Sequence, residues 1–133
     1  MLRFMLDTDF CIHVLRERPP AARARFNAEA GGLCISAITL GELLHGAARS
    51  ARPVERRKDV EGFAARLETL QFDVEAAAHF ADIRADLQAR GLMIGPYDLL
   101  IAGHARSRGL MLITGNLREF RRVEGLRAED WLG

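Results

Sequence analysis

Lysine is almost absent from this sequence: Lys58 is the only one among 19 basic residues. Chemistry that needs a lysine at a strand end therefore has only Lys58, and that residue lies in the charged run Glu55 to Asp59, away from every candidate strand. Positive charge is instead carried by arginine, whose planar fork suits bidentate phosphate contacts. Cysteine is nearly as scarce. Cys11 and Cys34 each stand alone among apolar residues, which excludes a zinc-type pair and leaves two reduced core thiols. Aromatics are only 7% of the chain, so aliphatic side chains must fill the core. No long apolar run exists. The opening Met-Leu-Arg-Phe-Met-Leu reaches Asp7 too soon for a signal-peptide core or a membrane span, so the expectation is a cytoplasmic protein with no membrane partner.

What is present reads as one ordinary domain over residues 1–133. A chain of this length buries roughly two-thirds of its unfolded surface. With 49% hydrophobic and 28% charged residues it has the usual globular balance, and a net charge of +1 argues neither for nor against nucleic acid. The arginines fall in groups: Arg16 to Arg25, Arg49 to Arg57, and Arg118, Arg121 and Arg122. Arg16, Arg118 and Arg121 are the candidates for holding phosphate groups, the bland alternative being a solvated basic surface.

Strands and helices alternate. Leu2 to Leu6 reads as a buried strand, followed by capping residues Asp7-Thr8-Asp9 and a helix through Ile12 and Leu15. Pro19-Pro20 opens a second helix, Gly31-Gly32 breaks it, and Leu33 to Ile35 is a second strand. Ser36 to Ala48 reads as a helix. From Pro53 another begins, with Val60, Phe63, Ala64, Leu67 and Leu70 in three-four spacing, and Gln71 to Asp73 is expected to hold a brief strand. Ala76, Phe80, Ile83 and Leu87 mark a further helix ended by Gly91. Pro96 starts one that runs through Arg108, Leu110 to Ile113 is a strand, Leu117 to Phe120 a helical turn, and Leu126 to Ala128 a weak strand. Such alternation predicts a parallel sheet covered by helices on both faces.

Ligands of an open parallel sheet bind at the carboxyl ends of its strands. Asp7 falls there, Glu42 lies early in the Ser36 helix, Asp98 in the first turn of the Pro96 helix, and Asn116 with Glu119 just beyond the Leu110 strand. Each has a structural alternative. Asp7 and Asp9 can cap a helix, Thr39-Leu40-Gly41-Glu42 matches a capping box, Asp98 suits a helix dipole and Asn116 is an ordinary N-cap. Together these alternatives do not explain why acids converge on one edge without basic partners. Glu42 fits least well, since Ile38, Leu40, Leu43 and Leu44 surround it. A divalent cation such as Mg²⁺ or Mn²⁺ would relieve the repulsion, activate water and stabilise a leaving oxygen. The four histidines read as structural, with His104 the best placed to look towards the acids.

Phe4-Met5-Leu6-Asp7-Thr8-Asp9, Ile35 to Leu43, Gly95-Pro96-Tyr97-Asp98 and Ile113-Thr114-Gly115-Asn116, in that order, resemble the PIN-domain VapC toxins. Gly95 to Ala102, Arg118-Glu119-Phe120 and the closing Glu129-Asp130-Trp131 look most like the enteric members. The resemblance implies a three-layer α/β/α sandwich with a short, mainly parallel sheet and a Mg²⁺- or Mn²⁺-dependent endoribonuclease. It also implies a homodimer, a cognate VapB-like antitoxin, and a tRNA substrate, specifically the anticodon stem-loop of initiator tRNA. Asp7, Glu42 and Asp98 match the principal acids, Asp7 and Asp98 as metal ligands, with Thr8, Asp9, Thr114 and Asn116 lining the site. The sequence departs at Asp9, usually asparagine, and at Asn116, often aspartate, so Glu119 is the candidate for the fourth acidic position. Two other classes compete. A phosphatase with an aspartate nucleophile also begins Asp-x-Asp after a strand, but needs a lysine near phosphate that is missing here. A non-catalytic dimeric binding module would use the acids only as caps.

Overall fold

The computed structural model describes residues 1–132. Five strands, β1 (Phe4–Leu6), β2 (Leu33–Ser36), β3 (Glu68–Leu70), β4 (Met111–Ile113) and β5 (Ala128–Glu129), form one sheet in the order β3-β2-β1-β4-β5. Every pairing is parallel, with Met5 opposite Cys34 on one side and Leu112 on the other. The strand order reverses at β1, so the crevice beside its carboxyl end is the place where such sheets bind ligands.

Alternation along the strands sorts the core into two layers. Phe4, Leu6, Leu33, Ile35 and Ile113 face helices α1 (Thr8–Arg16), α2 (Pro20–Ala28), α3 (Ala37–Ala48) and α4 (Pro53–Ala64). Met5, Cys34 and Leu112 face α5 (Val74–Arg90), α6 (Pro96–Ser107) and α7 (Leu117–Phe120). The architecture is therefore the expected three-layer α/β/α sandwich. Both thiols are buried and free, as the sequence indicates. Trp131 closes the first layer, its ring 4.8 Å from Phe4 and 5.7 Å from Phe10, with the Arg25 guanidinium 4.5 Å above it. Among the described residues no helix is long and apolar enough to cross a membrane.

Two local expectations are corrected. The third strand lies at Glu68–Leu70 rather than at Gln71 to Asp73, and α4 stops at Ala64, leaving Leu67 and Leu70 outside it. The helix expected from Ser36 is capped there, Ser36 Oγ accepting from the Ile38 N–H at 3.1 Å, and the alternative of a capping box at Thr39 falls, because Thr39 is already helical and buried.

Helices α5 and α6 touch through Gly103, where an added Cβ would lie 2.6 Å from the Phe80 backbone nitrogen and 2.7 Å from its Cα. Backbone cannot rotate out of the way as a side chain can. Gly103→Ala is therefore expected to cost about 2–3 kcal/mol despite alanine's better helix propensity. Thermal unfolding should move down by roughly 5–10 °C, and an unchanged midpoint would show that the two helices can separate.

Candidate active site

Asp7 follows the last residue of β1 and N-caps α1, its Oδ1 accepting from the Phe10 N–H at 2.8 Å. Its other oxygen accepts from the Thr114 hydroxyl, at the carboxyl end of the neighbouring β4, at 2.5 Å. The group is only 3% exposed, and among the described residues it pairs with no basic side chain. Burial raises its pKa to about 7, against which the Thr114 and Phe10 hydrogen bonds act, while Asp9 and Asp98 push it further up. Asp98, in the first turn of α6, is raised to about 6, again by burial first and then by Glu119, Glu42 and Asp9.

Acids that act on one another in this way lie close together, so Asp7, Asp9, Glu42, Asp98 and Glu119 share one edge of the sheet. Glu42 is fixed from across the groove by Thr8, whose hydroxyl donates to Oε1 at 2.6 Å and lies 3.2 Å from Thr39 Oγ1. Ten ion pairs are spread over the described surface, and none involves any of the five acids. Arginines are plentiful, so the missing countercharge is local to this edge.

That donor set suits a hard divalent ion. Two carboxylates pushed towards their neutral forms by burial and by neighbouring acids regain stability when a cation replaces the protons. Among the described residues no three acidic, histidine or cysteine side chains are gathered closely enough to hold an ion by themselves. An open set fits Mg²⁺, which keeps several waters and is commonly held by one or two carboxylates.

The remaining candidates divide. Asn116 N-caps α7 without using its side chain; instead its N–H donates to Thr114 Oγ1 at 2.9 Å, so the threonine joins the turn to Asp7. Arg16 lines a cleft of about 310 Å³ with Ile12, Leu15, Leu43 and Glu42. Arg118 and Arg121 are exposed and pair with no acid among the described residues.

His104 corrects an expectation. It does not look into the acidic groove but is buried behind it, with Nδ1 2.8 Å from the Oγ of Ser36. Burial lowers the pKa of its ring from the ordinary histidine value. The Gln71 backbone favours the protonated ring without reaching hydrogen-bond geometry, so Nε2 is left without a partner. This contact ties α6, which carries Asp98, to the cap of α3, which carries Glu42. Ser36, Thr39 and the Thr114 to Asp7 bond were not expected from sequence as parts of this frame. The only local signal was a hydroxyl at each strand end.

A three-layer parallel sandwich with unpaired acids at the switch crevice is the architecture of a metal-using α/β class of hydrolase. The PIN domain family matches residues 4–126, and the chain belongs to it. Within that family it groups with the VapC proteins. It is 50% identical to the tRNA(fMet)-specific endonuclease VapC of Shigella flexneri, over 98% of this chain and 99% of that one. Its structure superposes on VapC-containing structures. A DNA-bound VapBC from Salmonella typhimurium gives a TM-score of 0.95 at 52% identity, covering 98% of this chain and 99% of that one. VapBC2 from Rickettsia felis, bound to a promoter DNA fragment, gives 0.92 at 31%, with the same coverage.

Proposed function

We propose that this chain is the toxin of a VapBC-type pair, a divalent-metal-dependent endoribonuclease that cleaves initiator tRNA in its anticodon stem-loop. The observation that carries the reading is the set of acids at the switch crevice, buried or crowded and wholly without basic partners. Kinship with an endonuclease named for tRNA(fMet) supports the substrate. PIN-domain ribonucleases generally depend on a divalent metal, and Mg²⁺, with Mn²⁺ as a substitute, suits carboxylate oxygens plus water.

Asp7 and Asp98 would hold the ion, which when bound lowers the pKa of water and offsets charge on the phosphate. Thr114 and the Phe10 N–H fix the rotamer of Asp7, and Thr8 fixes Glu42 opposite it. Glu42 would take a proton from attacking water, and Glu119 would add negative charge beside Asp98. Arg16, Arg118 and Arg121 would hold the RNA backbone through charge alone, so discrimination rests on loop shape and splayed nucleotides.

An antitoxin segment would enter the cleft between α1, α3 and α4, offering a basic side chain to Glu42 and its neighbours, arginine being favoured for its bidentate fork. The protein would work as a homodimer in the cytoplasm, where tRNA is found.

Incubating the purified protein with total tRNA tests this. With Mg²⁺ or Mn²⁺, initiator tRNA should be cut at one position, and chelation should stop cleavage. Swapping its anticodon loop into another tRNA should transfer the cut. Cleavage that survives chelation would end the metal assignment. Equal degradation of unstructured RNA with initiator tRNA left whole would end the substrate assignment.

A further inference from the structure

Beyond Glu42 the exposed face of α3 opens onto a second, larger cleft of about 770 Å³, walled by Ile38, Gly41, Glu42, His45, Arg49 and Tyr97. Its size lies within the roughly 300–1,000 Å³ usual for ligand sites. Gly41 and Gly46 form the floor, and a Cβ added at either would meet nothing within 4 Å. The space is therefore open above the helix, not filled by packing. Tyr97 is the only tyrosine of the chain and the only aromatic among its exposed large hydrophobic residues, at 56% exposure. It directly precedes Asp98 in the first turn of α6. Arg49, at the far end of α3, is exposed and pairs with no acid among the described residues.

The lining distinguishes this cleft from the one between α5 and α6, where Phe80, Met93, Ile94 and Leu99 make a mostly apolar surface. Here a free guanidinium, an imidazole and a phenol ring stand around a glycine floor, next to the acids that the ribonuclease reading uses. An aromatic face beside a cation is how proteins hold unpaired nucleotides, because every base offers a π-face and every nucleotide a phosphate.

We propose that this cleft is a nucleotide subsite in which Tyr97 stacks on a base splayed from a single-stranded RNA loop, while Arg49, with His45, holds a phosphate further along the strand. The proposal rests on the ribonuclease reading and deepens it. With Glu42 on the cleft wall and Asp98 adjoining Tyr97, a strand seated here carries a neighbouring phosphodiester to the carboxylates. Tyr97 then selects for an unstacked nucleotide beside the cut, and paired RNA, whose bases are not free to stack, is refused.

The test compares full-length wild type with Tyr97→Leu, Tyr97→Phe and Arg49→Gln, using initiator tRNA as probe. Tyr97→Leu should lower kcat/KM about tenfold or more, with most of the loss in KM. Tyr97→Phe should recover to within about threefold, since the ring and not the hydroxyl stacks. Arg49→Gln should raise KM and flatten its dependence on salt by about one phosphate contact. In the wild type, tRNA carrying 5-iodouridine in the anticodon loop should photo-crosslink at Tyr97. Tyr97 is largely solvent-facing, so unchanged thermal unfolding is expected for its variants. If the wild type cleaves and Tyr97→Leu matches its KM, the subsite is wrong while the ribonuclease reading stands. If Tyr97→Leu instead halves the mass in solution and leaves RNA affinity alone, the face is an interface between copies and the proposal falls. A wild type that cleaves no RNA overturns both.

Discussion

Replacing Asp7 with asparagine is expected to abolish RNA cleavage and, in the same protein, to stabilise the metal-free fold at pH 8. The two effects have one cause. Asp7 is 3% exposed and its pKa is raised to about 7 from an ordinary 3.8, mainly by burial. A carboxyl whose folded pKa is raised contributes stability that is complete below its unfolded value and is lost as pH rises through the folded one. Across that window the wild type loses on the order of 2–4 kcal/mol from this group alone. Asparagine keeps an oxygen for the Phe10 N–H and can donate to Thr114, yet carries no charge. Its unfolding midpoint should exceed that of the wild type by several degrees at pH 8 and differ little at pH 4. Cleavage should fall by about a thousandfold or more, the equivalent of several kcal/mol of lost electrostatic stabilisation. A variant that cuts RNA at the wild-type rate, or that is less stable at pH 8, would remove Asp7 from its role.

The acid side of the rate profile carries the second large effect. Asp7 and Asp98 bind protons with pKa values of about 7 and about 6, burial being the first cause for each. A divalent ion must displace those protons, so cleavage at limiting metal should fall as pH drops from 8 to 5, steepening to about a hundredfold per unit where both groups are protonated. Cation and proton compete for the same oxygens. Raising the metal concentration should therefore move the limb to lower pH, which measurements of kcat/KM at two metal concentrations across that range would reveal. A limb that ignores metal concentration would mean the titrating groups do not bind the ion.

The main frame of this site could be read from local patterns because each acid sits next to a strong punctuation mark. Asp7 ends a strand and begins a helix, and Asp98 follows Gly95-Pro96, so their places at the carboxyl edge follow from the elements alone. Glu42 was legible through its unease among Ile38, Leu40, Leu43 and Leu44. The third strand was not, since Leu67 and Leu70 continue the helical spacing of α4 while Glu68 and Thr69 are exposed, leaving one buried residue and no alternation. The cap of α3 was ambiguous because Ser36 and Thr39 both offer hydroxyls. Only the extended backbone of Ser36, φ −73° and ψ 149°, decides between them. His104 reaches Ser36 across 68 residues, and no local pattern reports such a contact. Asn116 looked like a side-chain cap, but the nearby Thr114 hydroxyl already accepts from its N–H.

The most direct measurement is the mapping of new RNA 5′ ends after a brief pulse of expression of the wild type and of Asp98→Asn. One dominant new end is expected, within the anticodon stem-loop of initiator tRNA, in cells making the wild type and none in cells making the variant. Intact initiator tRNA during growth arrest by the wild type, or the same cut made by Asp98→Asn, would contradict that expectation.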